Sequence, residues 1–188
     1  RHGLPWRLLN IPQVLRNICE IAQHKPIAIN FVSEDFLGNS DNSMLSFLNQ
    51  LEHLRSKGVI DKMISFYCAV KVTDIYSLKD SETVNQAKKI KLKRMKSLGF
   101  NTLYVGFESG SNQQLQRYNK GITREESIIA INILKELQIN IDGGFITFDP
   151  LMTLEECLIN VSFLKESDVP KLLLFPFNHL IAFNGTIY

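Results

Sequence analysis

Short apolar runs alternate with amphipathic helices along the whole chain, and this alternation limits the fold more than any other feature. The predicted strands are residues 27–32, 63–70, 102–105, 144–148 and 171–175. They recur at roughly 30 to 40 residue intervals, which leaves room for one helix between each pair and suits parallel crossover connections. The helices are predicted over 12–24, 42–57, 82–98 and 113–118, with two more starting near Thr123 and Thr153. Asn10 and Asp41 stand where N-caps belong, Pro12 suits a first turn, and Gly58 and Gly99 close their helices. Thr123-x-x-Glu126 and Thr153-x-x-Glu156 read as capping boxes. Met44, Phe47, Leu48, Leu51 and Leu54 make one apolar stripe, and Ile129, Ala130, Ile133, Leu134 and Leu137 another. In the last helix Leu154, Cys157, Leu158, Val161 and Leu164 are expected to be buried. The expected fold class is α/β: a partial TIM-type (β/α) barrel of parallel strands alternating with helices, forming a single domain over 1–188.

Composition narrows the classes further. With 188 residues, 45% of them hydrophobic, the chain can bury a real core, and a net charge of +2 argues against disorder and against a global pull toward nucleic acid. Three cysteines, far apart at 19, 68 and 157, do not make a disulfide framework and fit a reducing, cytoplasmic setting. No apolar run is long enough to span a membrane. The run 88–96 carries six basic residues in nine, with no aromatic stacking set beside it, so a solvated helix face is the expectation over a nucleic-acid surface. The four histidines, at 2, 24, 53 and 179, lack metal-ligand spacing, and no residue is assigned to a metal.

Ligands of (β/α) barrels bind at the C-terminal ends of the strands. Here those ends carry Glu34 and Asp35, then Lys71 and Asp74, then Glu108, Ser109 and Ser111, then Asp149, then Asn178 and His179. One concave polar site is the reading of that set, with Glu34, Asp35, Lys71, Asp149 and His179 at the barrel mouth. Polar strand-to-helix loops also cap helices, which is the plainer role for each residue alone.

The segment Val105-Gly106-Phe107-Glu108-Ser109-Gly110-Ser111, with Leu115 and Asn119-Lys120-Gly121 after it, resembles the radical S-adenosylmethionine superfamily, in the branch of cobalamin-linked radical enzymes and methylthiotransferases. The likeness runs from Leu103 to Ile139, with Gln138 where the family has glycine. Phe31-Val32-Ser33-Glu34-Asp35-Phe36, the stretch 144–164 and Phe183-Asn184-Gly185-Thr186-Ile187-Tyr188 resemble further family segments in order. The resemblance implies a barrel that binds S-adenosylmethionine and a [4Fe–4S] cluster, for methyltransferase-like or oxidoreductase radical chemistry, with cobalamin held by an upstream domain. It implies cofactor contacts from Glu108, Ser109, Ser111 and Lys120, and a backbone contact to adenine from Ile146.

The chain departs from the family at the cluster, because it contains no CxxxCxxC, and Cys19, Cys68 and Cys157 read as small buried residues. It opens Arg-His-Gly, just past the place where the family carries its first strand and cysteine loop. A fragment lacking that front, inactive by itself, is the first expectation. A degenerate, non-catalytic barrel that binds a ligand or a protein partner is the alternative. The partner of the fragment is an unnamed small-molecule or peptide substrate, and an exposed sheet edge left by the missing strand would favour a dimer.

Overall fold

The computed structural model describes residues 10–33, 35–38 and 41–169. Four strands, β1 (Ala28–Phe31), β2 (Ser65–Val70), β3 (Phe100–Glu108) and β4 (Asn140–Phe145), form one sheet in the order β1-β2-β3-β4. Every neighbouring pair is parallel, as the 30 to 40 residue rhythm requires. The helices are α1 (Ile11–Ala22), α2 (Asp41–Ser56), α3 (Val72–Ile75), α4 (Glu82–Ser97), α5 (Asn112–Arg117), α6 (Arg124–Glu136) and α7 (Leu154–Ser167). The strand expected at 171–175 lies outside the described residues.

Most helices follow from their sequence patterns. Both capping boxes are present: Thr123 and Thr153 each accept from the N–H three residues on, and Glu126 and Glu156 reach back to the cap N–H. Asn10 occupies the N-cap of α1 without a side-chain bond. Asp41 is the first residue of α2 rather than its cap. The single turn α3 was not expected; Asp74 holds its start by accepting the Lys71 N–H at 2.8 Å. Burial pushes the Asp74 carboxyl up to about 6, only partly offset by that bond.

The outer face of the sheet carries the core. Phe66, Cys68 and Val70 of β2, and Leu103, Val105 and Phe107 of β3, pack beneath Met44, Phe47, Leu48 and Leu51 of α2 and Leu92 and Met95 of α4. Phe31, Phe36, Phe47, Phe66 and Phe100 form a ring cluster, with Phe66 and Phe100 centroids 5.1 Å apart. The inner face is different. Asn30, Tyr67, Thr102, Tyr104 and Asp142 alternate with those core residues and keep contact with solvent.

Two elements differ from expectation. Strand β4 runs over Asn140–Phe145 instead of 144–148. The run Phe145-Ile146-Thr147-Phe148 has the greater β propensity, but pairing with β3, Tyr104 opposite Asp142 and Gly106 opposite Gly144, sets the strand's place. Helix α7 is turned about its axis. Leu154, Leu158 and Val161 are exposed (77%, 62% and 43%), and Cys157 and Leu164 are only partly buried. The buried face is Glu156, Asn160, Phe163 and Ser167. Buried polar groups on α5 and on the loop after β3 need partners, and the polar side of α7 supplies several of them.

Gln138, where the family has glycine, ends α6 in the left-handed region at φ 55°. A side chain there costs about 1–2 kcal/mol of backbone strain, partly offset by the greater freedom of glycine in the unfolded chain. Gln138→Gly is therefore expected to raise stability by about 0.5–1 kcal/mol in urea denaturation.

Candidate functional site

The end of β3 is built around a strained carboxylate. Glu108 adopts φ 62°, a left-handed conformation that suits glycine, and the ladder to β4 shifts register between Gly106 and Glu108. The Ser109 N–H turns back onto the Phe107 carbonyl at 2.7 Å, and the Glu108 carbonyl accepts the Ile146 N–H at 2.8 Å. Both backbone bonds hold the bulge, so the strain is supported from two sides. Its result is to fold the Glu108 side chain back over the inner face of the sheet.

Glycine makes the room. A Cβ on Gly106 would lie 2.7 Å from Glu108 Oε1, and one on Gly144 would lie 3.4 Å from Glu108 Oε2 and 2.5 Å from the Tyr104 hydroxyl. These two glycines face each other across β3 and β4, so they form a two-residue cradle under the carboxylate.

Lys120 meets Glu108 from above, with Nζ 2.7 Å from Oε1. The reversal after α5 places it there: Asn119 and Gly121 both have positive φ, and the Lys120 N–H bonds the Leu115 carbonyl. Lys71, the N-cap of α3, is the second cation of the same hollow and pairs with Asp35 at its edge. The hollow holds about 480 Å³ and is lined by Lys71, Thr73, Tyr104, Gly106, Glu108 and Lys120, among others. Its charges can take a ligand that is itself zwitterionic: Glu108 accepts from an ammonium or hydroxyl, and the lysines donate to a carboxylate.

The other expected site residues lie elsewhere. The Ser109 hydroxyl is fully buried and bonds Gln114 Oε1 at 2.7 Å and Asn160 Oδ1 at 2.9 Å. Ser111 is also buried; its N–H bonds the Ser109 hydroxyl, and its own hydroxyl caps α5. Ser109 ties the loop to Asn160 of α7, Ser111 ties it to Ser109 and the start of α5, and neither lines the hollow. The Asp149 side chain is buried against Arg117, 2.8 Å from Nη2, and accepts the Tyr118 hydroxyl at 2.9 Å. Glu156 completes that cluster, 3.0 Å from Arg117 Nη1. Arg117, with its bond first, holds the Glu156 carboxyl below its ordinary range, and the two carboxylates push the guanidinium up. Ile146 lies just past β4, with its N–H given to Glu108. Glu34 and His179, with Asn178, lie outside the described residues.

Three inner-face residues escaped the motif reading: Tyr67, Tyr104 and Asp142. The signal for them was present as alternation of polar with apolar residues inside the strands. The Tyr67 hydroxyl donates to Asp142 Oδ2 at 2.8 Å, bridging β2 and β4 across β3. Burial first, then that carboxylate, pushes the Tyr67 phenol up; burial and Glu108 do the same to Tyr104.

The run 88–96 lies on α4, where Lys89 pairs with Glu136 at 2.7 Å, Arg94 with Glu52 at 2.5 Å, and Lys88 with Asp80. No helix among the described residues is long and apolar enough to cross a membrane.

No family model matches the chain. Over 172 residues it is 33% identical to 4′-phospho-dehydrooxetanocin synthase of Priestia megaterium, a match covering 87% of this chain and 23% of that protein. The solved structure of the cobalamin-dependent S-adenosylmethionine radical enzyme OxsB, with aqua-cobalamin and S-adenosylmethionine bound, superposes with a TM-score of 0.77 at 30% identity, over 87% of this chain and 23% of that one. The chain belongs to the radical S-adenosylmethionine superfamily. The radical S-adenosylmethionine methyltransferase TsrM of Kitasatospora setae, at 13% identity, shares the fold with a TM-score of 0.58 over 85% of this chain and 29% of that one. The chain spans about a quarter of the length of these relatives.

The described residues do not fit an iron–sulfur cluster. Cys19 sits on α1, Cys68 is buried in β2 and Cys157 is on α7, and no group of three His, Cys, Asp or Glu side chains among the described residues converges on one point. Burial drives the Cys68 thiol well above its ordinary range, which keeps it a neutral core group.

Proposed function

We propose that this chain is the core barrel segment of a cobalamin-dependent radical S-adenosylmethionine enzyme, and that the hollow at the end of β3 holds the methionine end of S-adenosylmethionine. The observation that carries the reading is Glu108: a strained, left-handed residue, aimed over a two-glycine cradle and neutralised by Lys120. The bound cofactor supplies a sulfonium whose one-electron cleavage yields a carbon radical. This chain's residues bind and orient. Glu108 accepts from the ammonium or a ribose hydroxyl, Lys120 turns to the carboxylate, and Gly106 and Gly144 let the ligand approach the sheet. The OxsB structures with aqua-cobalamin bound support cobalamin as a second cofactor of the whole protein. The cluster's ligands come from outside the described residues, so the chain by itself is inactive in radical chemistry. Its three free cysteines fit the reducing cytoplasm.

The test is calorimetric titration of S-adenosylmethionine into the full-length protein. Glu108→Gln keeps the shape and removes the charge, and is expected to weaken binding about ten- to hundredfold. Unchanged affinity in the variant overturns the reading. Absence of binding by the parent protein favours the non-catalytic barrel instead.

A further inference from the structure

Deeper in the barrel than Glu108, the inner face of the sheet carries a second polar array. Tyr104 stands on β3 directly opposite Asp142 on β4, and Asp142 is bridged to Tyr67 on β2. These three positions belong to the face that holds no core. Tyr104 keeps 37% of its surface exposed and lines the hollow. Its hydroxyl and Glu108 Oε2 both lie close to the point where a Cβ on Gly144 would be. Asp142 Oδ2 accepts from Tyr67 and Oδ1 from the Gly143 N–H at 2.9 Å, which fixes the carboxylate with lone pairs to spare.

A fold does not need these groups here. An inner-face Tyr–Asp pair that is partly exposed to solvent adds little to stability. The cations of the hollow, Lys71 and Lys120, sit at its mouth and are engaged by Asp35 and Glu108. Among the described residues the floor itself has no cation, which disfavours an anionic group on it. A phenol hydroxyl beside a carboxylate offers one group that donates and one that only accepts. A ligand hydroxyl answers both, because it accepts from Tyr104 and donates to Asp142. An ammonium can only donate, and a carboxylate can only accept. The Tyr104 ring, which lines the hollow, adds apolar surface for the C–H face of a saturated ring.

We propose that Tyr104, Asp142 and Tyr67 form a substrate floor that recognises a neutral, hydroxyl-bearing ring of the sugar or polyol type. This rests on the reading of the hollow above as the cofactor's place, with the floor beneath it taking the second reactant. Asp142 and Tyr104 contact the hydroxyls, and Tyr67 is a positioning residue that sets the Asp142 carboxylate.

The test uses full-length protein and ligand-observed saturation-transfer NMR, with and without saturating S-adenosylmethionine. The probes are D-ribose and myo-inositol, against putrescine and succinate. The expected result is saturation transfer to the hydroxyl-bearing probes, with affinity about tenfold weaker in Tyr104→Phe and in Asp142→Asn, and a smaller loss in Tyr67→Phe. Gly144→Ala, which places a methyl against the Tyr104 hydroxyl, is a second route to the same loss. Thermal melting shows whether each variant is folded. Preference for putrescine or succinate overturns the substrate class. Binding of ribose or inositol that is indifferent to all four substitutions overturns the floor, and so does the absence of any transfer to a protein that binds S-adenosylmethionine. If S-adenosylmethionine itself does not bind, the cofactor reading fails, and the titrations without it still decide the floor.

Discussion

Arg117→Met lowers the unfolding free energy by about 3 kcal/mol at neutral pH, the lower end of the cost of breaking a buried ion pair. The Asp149 and Glu156 side chains are 0% and 2% exposed, and one guanidinium serves both. Methionine fills much of the same volume, so the loss is one of charge rather than of packing. The cost stays at the lower end because other donors remain: the Tyr118 hydroxyl and the Leu151 N–H for Asp149, and the Thr153 N–H for Glu156. Its pH dependence identifies the mechanism. Arg117 depresses the Glu156 pKa in the folded protein, so this stabilisation is present above the unfolded carboxylate pKa of about 4.3 and fades as pH falls below it. In the variant the buried carboxylates lose their cation and protonate more readily. The difference between the two proteins is therefore largest at pH 7 and shrinks as pH falls below about 4.3. Urea unfolding at pH 7 and at about pH 3 measures it, and a deficit under about 1 kcal/mol, or one independent of pH, contradicts the assignment.

Gly110→Ala is expected to cost about as much by a different route. A Cβ there would lie 2.3 Å from Phe163 Cβ and 2.6 Å from its Cγ. Neither atom is the free end of a flexible chain, so α7 itself must move. That movement strains the 2.8 Å bond from the Gly110 N–H to Asn160 and the stacking of Phe163 on Phe145 at 5.9 Å. Overpacking of this kind costs typically 1–3 kcal/mol and sometimes more, and the buried hydrogen-bond network adds to it, so a loss of about 3 kcal/mol is expected. Gly121→Ala is the control. Nothing lies within 4 Å of its Cβ, but its φ is 68°, so only backbone strain of about 1–2 kcal/mol opposes it. Equal midpoints for the two variants in urea would mean that close contact with α7 is not what requires glycine at position 110.

These two sites show where sequence reading stops. The Val105–Ser111 segment points to a cofactor loop, and Glu108 does face the hollow with Lys120. The serines beside it turn the other way, because the bulge at Glu108 reverses the chain and aims Ser109 at α7. Asp149 reads as a strand-end ligand and is instead the buried partner of Arg117, 32 positions away in sequence. No local pattern announces a pairing of that range.

The apolar periodicity, the two capping boxes and the strand-to-strand spacing are local properties, and they alone determine the parallel α/β order and most helix boundaries. The face on which α7 docks, the register of β4 and the convergence of Glu108, Lys120 and Lys71 were decided only in the tertiary structure. The reason is one of satisfaction. Along α7 the leucine stripe has the stronger apolar pattern, but Asn160 and Glu156 are the groups that answer the buried Ser109 hydroxyl, the Gly110 N–H and the Arg117 guanidinium. Leaving those groups unpaired would cost more than leaving Leu154 and Leu158 in water, so the helix turns its polar side inward.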